Sequence, residues 1–505
     1  MLQTDAIRRE FPYLTREINI NARDGETPRR LFADSTSSSQ IPSQILERVA
    51  YAALDYANVH RGEYNASQKT TEEFERAYNI AANFVNADSW REIILGRNTT
   101  EMINLVARGT AFQFRDGDNV VLTRLEHNSN YVPWYGISTQ MAQIGKNIEV
   151  RVVDFDKETG ELDMSQMARS VDSRTKLVGV TGASNFVGTK PNLQDIAQIC
   201  QKSRYAQPDG RKGSYFLVDG AQLVPGSPVD VKEIGCDFLA WSFHKMAIPL
   251  GVGALYGKKD VLEQLDPFLF GGDMVQEVRE GKVTYKPLPW KFTAGTPNIL
   301  GTIASGHGIN FLVNLGLGRL GPMNDYRTVG TQLVNEILMN NPRGDFTIKF
   351  TVPQRQQEMF QKYLEEFPDV YSMLRDPEKR DQEARKRIKG AMANIMQHEQ
   401  ELTARALEGL AGNPDLTIYG PKEAGRRTSL VAFTLNKVPV DTAAKKFNKM
   451  GIEFRQGIHC ASLANNFYGL ENGSIRMGFY VYNTPDEVKR AVTAVNEVSK
   501  GVKHA

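Results

Sequence analysis

At 505 residues the chain is longer than one compact core usually supports, so two domains are expected. Hydrophobic residues make up 41% and charged residues 24%, and the formal net charge is +2, which leaves no basic footprint for nucleic acid. No apolar run approaches the ~18 residues of a membrane span, and the three widely spaced cysteines form neither a disulfide framework nor a zinc-ligand pattern.

The opening MLQTDAIRREFPYL lacks the apolar core and cleavage site of a secretory signal, so a cytoplasmic protein is expected. From Ile41 to Asn86 the spacing is helical, with NVHRGEYNAS as an interruption. Seven short apolar runs follow: EIILG, NVVLT, IEVRVVDF, KLVGVTG, YFLVDGA, CDFLAWS and GVGALYG. They alternate with helical stretches that include Thr100–Arg108, Met164–Ser170 and Leu193–Ser203, the pattern of a mostly parallel sheet covered by helices. This α/β region, about 30–303, is read as the large domain. Residues 1–29 and 304–505 are read as a smaller α+β domain. Within the latter, 304–337 is helical with a break at GLGRLGP, and 340–395 is charged and helical. A solvated excursion is the simplest reading of 340–395. LTIYG, SLVAFTL, IEFRQG and SIRMGFY return to strands. The last helix, Pro485–Ser499, has Thr484 as its cap, then Pro485, Asp486 and Glu487.

The densest chemical signal lies between Val218 and Gly257. VDGAQ ends a strand in Asp219, and FLAWSFHK ends another at Ser242, His244 and Lys245. Ligands of open α/β sheets sit at the carboxyl ends of strands. A lysine there supplies an amine for an imine. Ser242 and His244 can reach a phosphate, and Asp219 can hold a pyridinium nitrogen protonated. Thr99 and Thr100 open a helix whose free amides and dipole suit a phosphate. Together these residues describe a site for pyridoxal 5'-phosphate. Cys200 and Cys236 lie in apolar surroundings and read as small buried hydrophobes. Cys460 lies in a polar loop and reads as functional.

The ordered blocks RNTTEMINLVA, LEHNSNYVPW, TGASNFVGTKPNL, WKFTAGTPNILG, FRQGIHCASL and SIRMGFYVYNTPDEV resemble those of the class V aminotransferase family, of fold type I. Within it they are most similar to the group-II (SufS-like) cysteine desulfurases and selenocysteine lyases. The resemblance implies a seven-stranded large domain and a Schiff-base lysine at Lys245. It implies cofactor contacts from Thr99, Thr100, His127, Asn185, Asp219, Gln222, Ser242 and His244. His127 would stack on the ring and move protons. Thr296 would serve the phosphate of a neighbouring subunit, which makes the protein a homodimer. Arg476 and Asn185 would bind the substrate carboxylate, Arg455 would lie near the reactive sulfur, and Cys460 would be the catalytic thiol. Positive charge from Arg455 and His459 would favour its thiolate.

The implied activity converts L-cysteine to L-alanine and passes sulfur through Cys460 to an acceptor protein, as in iron–sulfur cluster assembly. A selenocysteine or other C–S lyase, a class V aminotransferase or epimerase, and a weakly catalytic scaffold are the alternatives. The chain departs from the family pattern at Ile458, at MAIPL after Lys245, at the short GGD run, in the longer stretch ASLANNFYGLENG before Arg476, and in the 320–395 insertion.

Overall fold

Each of the seven apolar runs supplies one strand of a single sheet. In chain order the strands are β1 (Ile93–Gly96), β2 (Asn119–Thr123), β3 (Glu149–Val153), β4 (Thr175–Thr181), β5 (Tyr215–Asp219), β6 (Phe238–Ser242) and β7 (Gly253–Gly257). They lie in the order β1-β7-β6-β5-β4-β2-β3. The run from β6 to β3 is parallel, and β7 is antiparallel to both of its neighbours. This computed structural model describes residues 2–16, 30–321, 325–340, 342 and 354–501. The remainder of the expected N-terminal segment, and residues 322–324, 341 and 343–353 of the expected insertion, lie outside the described residues.

The inner strands are apolar along their length because both faces are covered, while the edge strand β3 carries Glu149 and Arg151 and is only partly buried. Alternate residues go to different cores. Val178, Val180, Val218 and Trp241 join one cluster, while Leu177, Leu217, Phe238 and Ala240 join the other. One of these cores is closed by α2 (Asn65–Val85), which follows α1 (Ser43–Leu54) after the expected interruption. The other is closed by α3 (Thr99–Thr110). An exposed hairpin, Val275–Arg279 with Lys282–Tyr285, escaped the apolar-run reading because charged residues alternate along its strands. Among the described residues no helix is long and apolar enough to cross a membrane.

Helix α4 (Ile299–Gly316) continues through residue 303. It leads to α5 (Tyr326–Asn340), α6 (Gln354–Glu366), α7 (Pro368–Arg375) and the 34-residue α8 (Pro377–Leu410). Asp376 caps α8 by accepting from the amides of Glu378 and Lys379. The inserted helices are not simply solvated. Val329, Leu333, Phe360, Leu374 and Ala384 form a small core of their own. The charged composition hid it because each helix spends one stripe on this core and the rest on solvent. The far half of α8 buries Leu402, Ala406 and Leu410 against a second sheet and the final helix α9 (Pro485–Ser499). That sheet is antiparallel, built from β8 (Leu416–Tyr419), β9 (Leu430–Leu435), β10 (Arg455–Gly457) and β11 (Ser474–Gly478) in the order β8-β9-β11-β10. The cap expected at Thr484 is present, and Glu487 returns the bond to complete a capping box.

Helices α4 and α8 meet at Gly316, where a Cβ would run into the carbonyl oxygen of Ala391. Asn394 Nδ2 also donates to the carbonyl of Gly316, at 3.0 Å. Gly316→Val is expected to push the helices apart and cost ~1–3 kcal/mol, the usual penalty for overpacking. A urea unfolding midpoint equal to that of the unsubstituted protein would show that the contact is loose.

Candidate active site

The sheet ends define the site. Thr181, Asp219 and Ala240 are register partners on β4, β5 and β6, so Asp219 and Ser242 leave the sheet side by side. Beyond Ser242 the chain makes a single tight turn, Phe243–Lys245. Two residues later Ala247 takes φ of 65°, a left-handed conformation that favours glycine. Its amide donates to Ser39 Oγ, and both the amide and hydroxyl of Ser39 donate to the carbonyl of His244. The lysine is thereby held from two sides. A cavity of about 390 Å³ opens over these strand ends. It is lined by every residue expected to bind cofactor or substrate except Thr296, which is exposed elsewhere on the chain.

One end of the cavity is rich in hydroxyls. The amide of Thr99 at the start of α3 donates to Ser242 Oγ at 2.7 Å, and the two hydroxyls are 2.6 Å apart. Thr100 Oγ1 meets Ser129 Oγ at 2.7 Å. Burial, then Lys245, lowers the pKa of His244 to about 4. A helix start with hydroxyls around it can hold a phosphate-like anion.

The middle carries the charged pair. Asp219 is 3% exposed and its carboxylate accepts from the amide of Ala221 at 3.0 Å. Burial raises its pKa, while Ala221 and Lys245 oppose the shift. Burial lowers the pKa of Lys245 to about 8, against the pull of Asp219. The amine is therefore available as a neutral nucleophile or base near physiological pH. His127 is held neutral, with its pKa lowered to about 4 by burial and then by Lys245. Its Nδ1 accepts the amide N–H of Ser129 at 3.1 Å, which assigns the ring proton to Nε2. Gln222 Nε2 donates to the carbonyl of Thr36 at 2.6 Å.

The far end brings residues of the four-stranded sheet and of the loop after β10 over the strand ends of the seven-stranded sheet. Arg476 on β11 donates to the carbonyl of Asn185 at 2.7 Å and to Ser37 Oγ at 2.6 Å. Burial lowers its pKa to about 10, so it remains cationic at neutral pH. Arg455 on β10 grips Asp34 Oδ2 through Nε and Nη2 at 3.0 and 2.7 Å. The same carboxylate lies 3.7 Å from Arg476. Asp34 and Ser37 were not singled out in the sequence. The signal was there: two arginines placed in one site need an anion, and ADSTSSS at residues 33–39 offers one.

Cys460 is exposed, whereas Cys200 and Cys236 are buried. Its loop is tied to the large domain at both shoulders. Asn128 N donates to the carbonyl of Cys460 at 2.7 Å, and Asn185 Nδ2 donates to the carbonyl of His459 at 2.6 Å. His459 and Cys460 both have φ of 53°, a conformation costing on the order of 1 kcal/mol each. His459 does not supply the positive charge expected of it. Its side chain is buried, its Nε2 pairs with Ser474 Oγ at 3.0 Å, and burial followed by Arg476 lowers its pKa to about 3. Arg455 and Arg476 are the cations at this end of the cavity.

The family profile "Aminotransferase class-V" matches residues 31–364 and 383–491. The chain belongs to the class-V aminotransferase family. Members of the family called cysteine desulfurase in Haloferax volcanii and Pectobacterium atrosepticum are 30% and 31% identical to it. Each aligns over 98% of this chain, and over 96% and 98% of its own length. Among solved structures, the apo cysteine desulfurase of Thermococcus onnurineus matches with a TM-score of 0.74 at 25% identity, over 99% of both chains. A C-DES variant with glycine covalently linked to its PLP cofactor matches in fold, with a TM-score of 0.66 at 17% identity over 97% of this chain and 99% of its own.

The amine of Lys245 gives a direct test of the cavity's electrostatics. In cofactor-free protein, competitive acetylation read by mass spectrometry is expected to titrate Lys245 at about 8. Asp219 favours the charged amine, so Asp219→Asn is expected to move that midpoint lower. A midpoint at the ordinary lysine value of 10.5 would show the amine to be solvated.

Proposed function

We propose that this chain is a pyridoxal-phosphate-dependent cysteine desulfurase of the group-II type, converting L-cysteine to L-alanine and receiving the sulfur on Cys460. The observation that carries the reading is the convergence in one cavity of Lys245 and the buried Asp219, the carboxylate-binding Arg476 and the exposed thiol of Cys460.

The residues fit the cofactor. Asn185 Oδ1 is buried with no hydrogen-bond partner among the described residues, as expected of a group that a ring hydroxyl would complete. Asp219 is a buried anion suited to a pyridinium nitrogen, with Gln222 and His127 beside it on the cavity wall. Thr99, Thr100, Ser242 and His244 would hold the phosphate. When bound, pyridoxal phosphate supplies an electron sink for bonds broken at the substrate's α-carbon.

The chain's own groups do the rest. Arg476 orients the substrate by its carboxylate, and two of its nitrogens are already fixed by Asn185 and Ser37. Lys245, neutral at its Nζ above about pH 8, takes the α-proton, and His127 Nε2–H is the second proton carrier. Cys460 attacks the substrate sulfur as a thiolate. The new S–S bond forms as the Cβ–S bond breaks. The electron pair goes to the substrate carbon, which takes a proton and becomes the methyl group of alanine. Arg455, half-exposed and paired with Asp34, lines the same cavity as the thiol. Because Cys460 is exposed, its persulfide is reachable by an acceptor protein in the cytoplasm, as sulfur delivery to iron–sulfur clusters requires.

Cys460→Ala is expected to keep the cofactor's visible absorption and to bind L-cysteine, while alanine formation falls by orders of magnitude and no persulfide accumulates. Alanine released at the unsubstituted rate, or pyruvate in its place, would move the protein to the lyase class.

Thr296 is proposed to complete the phosphate site of a second subunit. Light scattering is expected to give a dimer, and Thr296→Ala is expected to lose cofactor faster on dilution. A monomer with full cofactor occupancy would refute both statements.

A further inference from the structure

A second cavity, of about 240 Å³, opens between α1, α4 and α5, with Gln356 of α6 at its edge. It shares no lining residue with the active cavity. Its polar walls are unevenly satisfied. Gln332 donates to the carbonyl of Arg319 at 3.1 Å, and Asn314 accepts from Asn335. Asn310, only 5% exposed, keeps Oδ1 without a hydrogen-bond partner among the described residues, as Gln356 does its buried Oε1. Buried acceptors left unpaired mark places that a ligand or solvent completes.

Opposite charges stand at the same cavity. Arg48 Nη2 lies 3.4 Å from Glu336 Oε1, a single-pronged pair that engages one of the guanidinium's five N–H donors. His307 lies beside them, and burial, with Arg48 and Arg76, holds its ring well below its usual pKa, so it brings no charge at neutral pH. Ile45 and Phe311 supply an apolar wall. A phosphate or dicarboxylate would set extra negative charge against Glu336 and the unpaired acceptors. A hydrocarbon would leave those acceptors as they are. A zwitterion answers both signs. The volume equals roughly eight waters at ~30 Å³ each, room for one amino acid of medium size.

We propose that this cavity is a binding site for a free α-amino acid with an apolar side chain. Its carboxylate pairs with Arg48. Its ammonium is held by Asn310 Oδ1, Gln356 Oε1 and the Glu336 carboxylate, and its side chain rests on Ile45 and Phe311. The ligand joins the inserted helices to α1, which follows directly on the Asp34–Ser39 segment of the active cavity, so binding there ties the insertion to the catalytic domain.

The test is isothermal titration of the cofactor-loaded enzyme with L-leucine and L-phenylalanine. One site per chain is expected, without change in the cofactor's visible spectrum. N-acetyl-L-leucine, which lacks the ammonium, and L-leucinamide, which lacks the carboxylate, are each expected to bind about tenfold more weakly or worse, the cost of one lost charge-assisted contact. Arg48→Gln and Asn310→Leu are expected to weaken L-leucine to the same degree and leave cysteine turnover unchanged, with Arg48→Lys in part restoring it. Arg476→Ala is expected to leave the binding intact. No binding at millimolar concentration overturns the proposal, as does either analogue binding as tightly as L-leucine or loss of the site in Arg476→Ala. The analogue arms use the unsubstituted enzyme and do not depend on any variant folding.

Discussion

Two ionisable groups taken out of water at neighbouring strand ends organise the active cavity. Asp219 is buried and Lys245 partly so, and desolvation pushes each toward its neutral form. Their mutual attraction offsets part of that cost. The pair is tolerated because the strands that carry it are buried on both faces and locked in register, so neither side chain can swing out to solvent. A lysine on a mobile loop would remain hydrated and protonated. Rigid strand ends make it a usable amine.

The second constraint is closure by the smaller sheet. Arg455 and Arg476 are register partners on adjacent strands, two cations that repel each other. Asp34, from the segment leading into the large domain, neutralises both. Removing it would leave the buried Arg476 short of its counter-ion. The loop of Cys460 is fastened through its carbonyls by the Asn128 amide and the Asn185 side chain, so the thiol's position is set from the seven-stranded sheet's side even though the loop follows a strand of the smaller sheet. The strained conformations of His459 and Cys460 are held by those bonds.

The inserted helices show how far composition can mislead. Their charged faces hid a core built from Val329, Phe360 and Leu374, and α8 spans from that core to the small sheet. At ~1.5 Å per residue its 34 residues run about 50 Å, enough to brace both regions. The second cavity exists only because α5 and α6 close over α1 and α4.

The strands were legible from the sequence alone because a sheet covered on both faces demands continuous apolar runs, and each of the seven runs proved to be a strand. That Lys245, Asp219, Ser242 and Thr99 share one cavity was legible because they sit at fixed offsets from strand and helix ends. The sequence could not show that His459 is uncharged, since that depends on burial and on the nearness of Arg476. Nor could it show that Asp34, more than four hundred residues away along the chain, pairs with Arg455. Local pattern determines which elements form. Which charges end up together, and how much water they keep, is decided by packing between distant segments, and only the tertiary structure carries that.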